Sequence, residues 1–214
     1  MPGLQAAVPQ SARNVAYVLP FQALNLDDLP RVGGKNASLG EMIRALGSRG
    51  IQVPKGFAVT ADAFRLHLRE AGLETTIYTE LDRLDLTDVA ALASTARGIR
   101  ARIAQAPLPE PVATAISRAY DELSAGYHED ATDVAVRSSA TAEDLPAASF
   151  AGQQETFLNI RGHEALDRAV RGCMASLFTD RAIVYRAQHK IDHRSVALSV
   201  GVQKMVRSDL DSAG

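Results

Sequence analysis

Apolar positions in the first third of the chain follow either helical spacing or the short runs that are typical of strands. The short run FAVT at residues 57–60 predicts a strand that leads into a helix capped at Thr60 or Asp62. Upstream, the pair Gly33-Gly34 precedes a long helical pattern. The positions predicted to share one face of that helix are Ala37, Leu39, Met42, Ile43 and Leu46. The glycine pair is therefore predicted to lie at a helix entrance.

The middle of the chain, residues 73–126, is almost entirely helical in its spacing. Its predicted core positions are Ile77, Leu81, Leu84, Leu86, Val89 and Leu92. Three prolines, at 107, 109 and 111, interrupt this pattern, and the last of them favours the start of a new helix. The apolar positions of that helix are Val112, Ile116 and Tyr120. We interpret this part as a helical packing layer without chemistry.

Strands and helices alternate in the last third of the chain. Residues 134–136 predict a short apolar strand that ends in Arg137, and residues 138–152 predict a polar loop. The remaining predicted elements are a strand at 155–160, a long or twice-broken helix at 163–190, and a strand, or two strands divided at Gly201, at 195–206. This order of elements predicts an α+β fold.

Composition and charge exclude several classes of protein. The 214 residues carry a formal net charge of -2 and 5% aromatic residues, so no surface for nucleic acid is expected. The single cysteine, Cys173, excludes an internal disulfide. The chain has no apolar run near the roughly 20 residues that a membrane span requires, and its first residues lack the pattern of a secretory signal. We therefore expect a cytoplasmic protein.

Lys35 follows the glycine pair and is the first candidate for chemistry. Free N–H groups at a helix entrance favour an anion, and the lysine adds a mobile positive charge. The segment is not a Walker A loop, because Leu29 and Asn36 stand where that motif needs Gly and Ser or Thr. An ordinary turn with a solvated lysine is the alternative.

Arg137 and Gln203 are the other candidates that the residues themselves suggest. Gathering the roughly four negative charges of ATP needs at least two cations, which Lys35 and Arg137 would supply. The amide of Gln203, near the end of an apolar strand, would read the edge of adenine. The alternatives are a surface loop after Arg137 and an ordinary core strand around Gln203. No residue is assigned as a metal ligand.

Four segments together resemble phosphoenolpyruvate synthase, also called pyruvate, water dikinase. They are RVGGKNASLGEMI at 31–43, VPKGFAVTADAF at 53–64, AVRSSATAEDLPAASFAGQQETFLNI at 135–160 and VALSVGVQKMVRSDL at 196–210. The resemblance extends over about residues 17–214. Pyruvate phosphate dikinase and rifampicin phosphotransferase are wider relatives with the same kind of nucleotide domain.

The resemblance implies an ATP-grasp-like nucleotide-binding domain that holds ATP with Mg²⁺. In this family the β-phosphoryl group passes to a histidine of a separate domain and then to pyruvate, while the γ-phosphate is released to water. By motif, Lys35 and Arg137 would be catalytic and would contact the phosphates. Gly152 and Thr156 would line the nucleotide, and Gln203 would lie beside adenine.

The resemblance also divides the chain into parts and sets limits on it. We expect a loose N-terminal extension at 1–16, a lysine-bearing part at 17–72, a helical insertion at 73–130, and an arginine-loop, helix and hinge-strand part at 131–214. Family members continue beyond Gly214, so we expect a truncated N-terminal portion that is inactive alone and reaches pyruvate only through further domains. A homodimer is expected by analogy. The alternatives are a rifampicin phosphotransferase-like ATP-binding domain and a non-catalytic nucleotide-binding or docking module.

Overall fold

An antiparallel sheet joins strands from both ends of the described chain. The computed structural model describes residues 15–47, 49–141 and 155–206. Within them the sheet has five strands: β1 Val18–Pro20, β2 Gly56–Val59, β3 Val134–Ala140, β4 Thr156–Ile160 and β5 Leu198–Lys204. Their spatial order is β1-β2-β5-β3-β4, and every neighbouring pair is antiparallel. The long connection between β2 and β3 carries helices.

Seven helices in the described residues cover the two faces of the sheet unequally. They are α1 Leu29–Gly47, α2 Ala61–Glu70, α3 Glu74–Asp82, α4 Val89–Gln105, α5 Glu110–Ala125, α6 His163–Ala175 and α7 Asp180–Gln188. Only α1 among them packs in the smaller core, whereas the other six contribute to the larger one. The predicted α+β class is confirmed. Among the described residues, no helix is both long and apolar enough to cross a membrane.

Strand alternation sorts the side chains between the two cores. In β2, Phe57 and Val59 belong to the larger core, while Ala58 belongs to the smaller core with α1. In β5, Val200 and Val202 likewise face the larger core. The side that faces α1 therefore carries mainly small or polar residues, and this lets the helix approach the strands closely.

The strand that contains Arg137 is longer than predicted. It does not end at Arg137 but continues to Ala140, because Ser138 and Ser139 remain in the ladder opposite Val200 and Ser199 of β5. Both serines are buried. Their small side chains fit between the sheet and its covering helices, so their polarity did not end the strand. The greater part of the predicted loop, residues 142–152, lies outside the described residues.

Several other expectations are decided by the described elements. Gly201 does not divide β5, and the helical pattern at 163–190 is broken twice, into α6, a short 3-10 turn and α7. Val89 is 75% exposed, so its predicted core position is wrong. It is the first residue of α4, one turn before the buried stripe of Leu92, Ala96, Ile99 and Ile103, and this end of the helix is exposed. Met42 in α1 is also exposed, so it does not share the buried face of that helix.

Close packing of α1 requires glycine at position 40. A Cβ atom there would lie 2.6 Å from the backbone oxygen of Leu24 and 2.6 Å from its Cβ. Gly98 in α4, also within a helix, has no such neighbour within 4 Å. The two glycines are therefore a matched pair, of which one is constrained by packing and one is not.

We predict opposite effects of alanine at these two positions. Gly40→Ala should lower the free energy of unfolding by about 1–3 kcal/mol, because backbone must move to admit the methyl group. Gly98→Ala should raise it by about 0.4–1 kcal/mol by restricting the unfolded chain. Urea unfolding followed by circular dichroism measures both. Equal effects of the two substitutions would contradict the packing described for α1.

A buried arginine connects α7 to the segment before β5. Arg186 is fully buried; its Nη1 donates to the carbonyl of Leu177 at 2.8 Å, and its Nε donates to Nδ1 of His193 at 2.8 Å. Its guanidinium also lies 5.8 Å from the ring centroid of Phe178. Burial lowers the pKa of His193 to about 4, and the charge of Arg186 acts in the same direction. His193 is therefore a neutral acceptor at physiological pH.

This arrangement predicts that acid destabilises the fold through His193. The unfolded chain takes up the proton near pH 6.5 and the folded chain only near 4, so stability is complete above 6.5 and is lost as pH falls toward 4. His193→Asn keeps an acceptor for Arg186 but cannot titrate. Urea unfolding from pH 8 to 4 should show a smaller loss of unfolding free energy for the variant than for wild type below pH 6.5, and the same pH dependence for both above pH 7. Parallel curves throughout would show that His193 is not the acid-sensitive group.

Candidate functional site

Gly33 produces the turn with which the regular part of α1 begins. Its backbone has φ 72° and ψ 163°, a conformation that glycine adopts without strain and that interrupts the helical geometry. A Cβ at this position would lie 2.4 Å from Oγ of Ser139 in β3. The glycine pair thus lies at a helix entrance, as predicted, and rests directly on the sheet. Lys35, half-buried, follows in the first turn.

Three predicted site residues lie on the face of the sheet that α1 partly covers. Arg137 of β3 is paired in register with Thr156 of β4 on one side and with Gly201 of β5 on the other. Gln203 is two residues further along β5, opposite Ala135. Because residues two apart in a strand share a face, these side chains project to the same side.

A hollow of about 200 Å³ brings these side chains together. It is lined by Phe21, Asn36, Leu39, Ala135, Arg137, Thr156, Leu158, Gly201 and Gln203. Lys35 does not line this hollow, but its backbone immediately precedes Asn36, which does. Gly152 lies outside the described residues. The structure therefore brings three predicted residues into one hollow and puts the fourth at its border.

The charge of the hollow comes from Arg137. No aspartate or glutamate is among the described residues that line it. Within the described part of the chain, no carboxylate forms an ion pair with this guanidinium, which is half-buried. An arginine in this setting attracts an anion more strongly than an exposed one, because water screens it less. The lining also includes three apolar side chains, those of Phe21, Leu39 and Leu158.

Gln203 is held in a fixed orientation at the end of β5. Its Nε2 donates to the carbonyl of Pro54 at 3.1 Å, and a carbonyl can only accept, so the orientation of the amide is determined. The next backbone amide, that of Lys204, donates to the carbonyl of Lys55 at 2.9 Å. The backbone amide of Lys55 in turn donates to the hydroxyl of Tyr127 at 3.0 Å. The 53–56 turn is thereby attached to the strand that carries Gln203.

The side chain of Lys204 is used structurally. Its Nζ donates to Oε1 of Glu129 at 2.8 Å and to Oγ1 of Thr132 at 2.7 Å, and it lies 5.2 Å from the ring centroid of Tyr127. The hydrogen bond from Lys204 lowers the pKa of the Glu129 carboxyl. This lysine points away from the hollow by strand alternation, so the cation next to Gln203 is not part of the candidate site.

Four residues that line the hollow were not predicted as site residues from the sequence. They are the polar Asn36 and the apolar Phe21, Leu39 and Leu158. The sequence does single out Asn36, because it is a polar residue on the helix face formed by the apolar residues Val32, Leu39 and Ile43. The apolar three carry no chemical signal. Among the described residues, no group of three or more histidine, cysteine, aspartate or glutamate side chains is arranged to hold a metal ion.

The amino-acid sequence of the chain matches a known protein family. Residues 29–214, most of the chain, match the sequence profile of the family described as pyruvate phosphate dikinase, AMP/ATP-binding domain. The chain belongs to this family. The resemblance that the motifs suggested is confirmed.

Relatives from several bacteria agree with that assignment. Phosphoenolpyruvate synthase of Escherichia coli is 54% identical over 197 residues, which is 92% of this chain and 25% of the relative. The phosphoenolpyruvate synthase of Deinococcus radiodurans is 53% identical over 197 residues, with the same coverage of 92% and 25%. That of Pseudomonas aeruginosa is 53% identical over 200 residues, covering 94% of this chain and 25% of the relative. The chain thus spans about a quarter of the length of these relatives.

Proposed function

We propose that the hollow binds ATP together with Mg²⁺, and that the chain is the N-terminal ATP-binding part of a phosphoenolpyruvate synthase. The observation that carries this proposal is the convergence of Arg137, Thr156 and Gln203 on one hollow whose described lining contains no carboxylate. Membership of a family of AMP/ATP-binding domains supports the nucleotide as the ligand. Lys35 would reach the same ligand from the entrance of α1.

The two ends of the hollow suit the two ends of the nucleotide. The base would lie toward the end of β5, where Gln203 offers its amide and Leu158 an apolar surface. The phosphates would lie toward Arg137 and the glycine turn that precedes Lys35. At about 4 Å and an effective dielectric near 20, each cation contributes roughly 4 kcal/mol of attraction per phosphate charge before desolvation. Two cations are thus enough to orient the triphosphate.

The fold of the site would be that of the N-terminal portion of an ATP-grasp-like domain. The antiparallel sheet with a lysine-bearing helix on one face and the other helices opposite supports this proposal. On this view residues 17–72 and 131–214 form the nucleotide-binding part, residues 73–130 are a helical insertion, and residues 1–16 are an extension. Gly152 and Thr156 would line the nucleotide from the β3–β4 side.

The reaction of the whole enzyme is the conversion of ATP, pyruvate and water to AMP, phosphoenolpyruvate and phosphate. The β-phosphoryl group would pass from ATP to a histidine nitrogen of another domain, with AMP as the leaving group and the γ-phosphate released by water. Transfer from that histidine to pyruvate would complete the cycle, which makes a role in gluconeogenesis the natural one. We propose the cytoplasm as its location and a homodimer as its assembly. The similarity to phosphoenolpyruvate synthases supports this activity.

The described residues do not offer a site for Mg²⁺ by themselves. A hard cation takes several oxygen ligands, usually including carboxylates, and no carboxylate lines the described hollow. No cluster of three or more acidic, histidine or cysteine side chains in the described residues fits the ion elsewhere. We therefore propose that Mg²⁺ arrives with the triphosphate and assign it no protein ligand in the described residues.

We predict that removal of either cation weakens binding of Mg-ATP but not of adenosine. Arg137→Ala should raise the Kd for Mg-ATP by about 10- to 100-fold, as expected for a lost charge-assisted hydrogen bond. Lys35→Ala should raise it by about 10-fold. Calorimetry and NMR titration of the chain with Mg-ATP and adenosine measure these changes.

Arg118→Ala is the matched control for this experiment. Arg118 lies on α5, its side chain is 81% exposed, and within the described part of the chain it pairs with Glu122 of the same helix at 3.4 Å. Its removal should leave the Kd for Mg-ATP unchanged. Wild-type affinity for Mg-ATP in Arg137→Ala and Lys35→Ala would refute the proposed phosphate contacts.

A further inference from the structure

Asn36 is a fully buried polar residue in a position where the helix otherwise buries apolar side chains. Its relative exposure is 0%, and it directly follows Lys35 in the first turn of α1 after the Gly33 kink. Its Nδ2 donates to the carbonyl of Val32 at 3.0 Å and to Oγ of Ser199 at 3.1 Å. One amide thus binds the turn before it and a strand of the sheet.

The hydrogen bonds of Asn36 continue across the sheet. Oγ of Ser199, in β5, donates to the carbonyl of Val59 in β2 at 2.7 Å, which leaves its lone pair to accept from Asn36. The carbonyl of Val32 can only accept, so the amide orientation is determined by its partners. One N–H group of Asn36 therefore holds the entrance turn of α1, while the other attaches this turn to β5 and, through the Ser199 hydroxyl, to β2.

The carbonyl oxygen of Asn36 finds no hydrogen-bond donor among the described residues and lies against Gly201. A Cβ atom on Gly201 would be 2.4 Å from this Oδ1, so only glycine admits the amide here. A buried acceptor without a donor costs stability, which an apolar side chain would avoid. A buried polar group that lacks a hydrogen-bond partner is expected mainly at functional sites, where its position serves the site at some cost in stability.

We propose that Asn36 is a positioning residue, which holds Lys35 in register with Arg137 for the same ligand. The inference rests on the proposed function. Gly201, on which the Asn36 amide lies, is paired in register with Arg137, so the amide joins the lysine-bearing turn to the strand position opposite the arginine. Because a displacement of about 1 Å can cost roughly 100-fold in a charged site, this link matters for the phosphates and not for the base.

The first test requires no ligand. Hydrogen exchange of the backbone amides of residues 34–37 is compared in wild type, Asn36→Ala and Ser199→Ala, which break the link at its two ends. Both variants should accelerate exchange in this turn by about 10-fold or more while β2 and β5 remain protected. Ser199→Ala removes only a hydroxyl, so it decides the outcome if Asn36→Ala does not fold.

Ser138→Ala is the matched control for the exchange experiment. Ser138 is fully buried in β3 like its neighbour Ser139, but it lies on the side of the sheet that faces the larger core, and its hydroxyl donates to the carbonyl of Glu155 at 3.5 Å rather than to the α1 turn. Its substitution should not accelerate exchange at residues 34–37. Acceleration of the same size in all three variants, or in none, would overturn the proposed link.

The second test separates positioning from general loss of stability. Kd values for Mg-ATP and adenosine are measured by NMR titration in Asn36→Ala and Ser199→Ala, under conditions where circular dichroism shows them folded. The affinity for Mg-ATP should fall about 10-fold or more, whereas the affinity for adenosine should not change. Adding Lys35→Ala to Asn36→Ala should cause little further loss, because the lysine is already misplaced.

The outcomes distinguish this inference from the proposed function. Wild-type chain that does not bind Mg-ATP would refute the proposed function for the chain, while the exchange experiment still decides whether Asn36 holds the turn. In a second outcome, the wild-type chain binds Mg-ATP while Asn36→Ala loses affinity equally for Mg-ATP and for adenosine. That result would overturn only the positioning role of Asn36 and would leave the proposed function standing. Additive losses in the double variant with Lys35→Ala would do the same.

Discussion

The close approach of α1 to the sheet is the constraint on which the candidate site depends. Gly33 lies on Ser139 of β3, and the Asn36 amide lies on Gly201 of β5, in each case without room for a Cβ atom. Ordinary side chains at these points would lift the helix by the thickness of a methyl group or more. The turn that carries Lys35 would then no longer border the hollow that contains Arg137.

The two faces of the sheet differ in composition because α1 packs closely against one of them. Six described helices fill the larger core with Val, Ile, Leu and Phe side chains, whereas the α1 face of β2, β3 and β5 carries Gly, Ala and Ser as well as Arg137 and Gln203. One face is therefore a conventional core that supplies stability. The other is covered only in part, and the uncovered part is where polar side chains project.

Local patterns predicted the elements better than they predicted the extent of β3. Gly33-Gly34 indicated the helix entrance because backbone conformation is a local property, and alternation at 155–160 indicated β4. The continuation of β3 beyond Arg137 depends on pairing with β5, some 60 residues later, which no local pattern contains. Likewise, sequence reasoning named Arg137, Thr156 and Gln203, but the shared hollow follows from strand register, and the contribution of Asn36 follows from its contact with Gly201.

The candidate site also explains how a chain with a net charge of -2 could bind a negatively charged ligand such as a triphosphate. Many of its cations are paired locally with carboxylates: Arg102 pairs with Glu80, Arg100 with Asp180, and Lys204 with Glu129. The hollow differs because no described carboxylate lines it. Selectivity for an anion then depends on where a cation has no carboxylate beside it, and not on the total number of cations. The amino-acid composition does not contain this information.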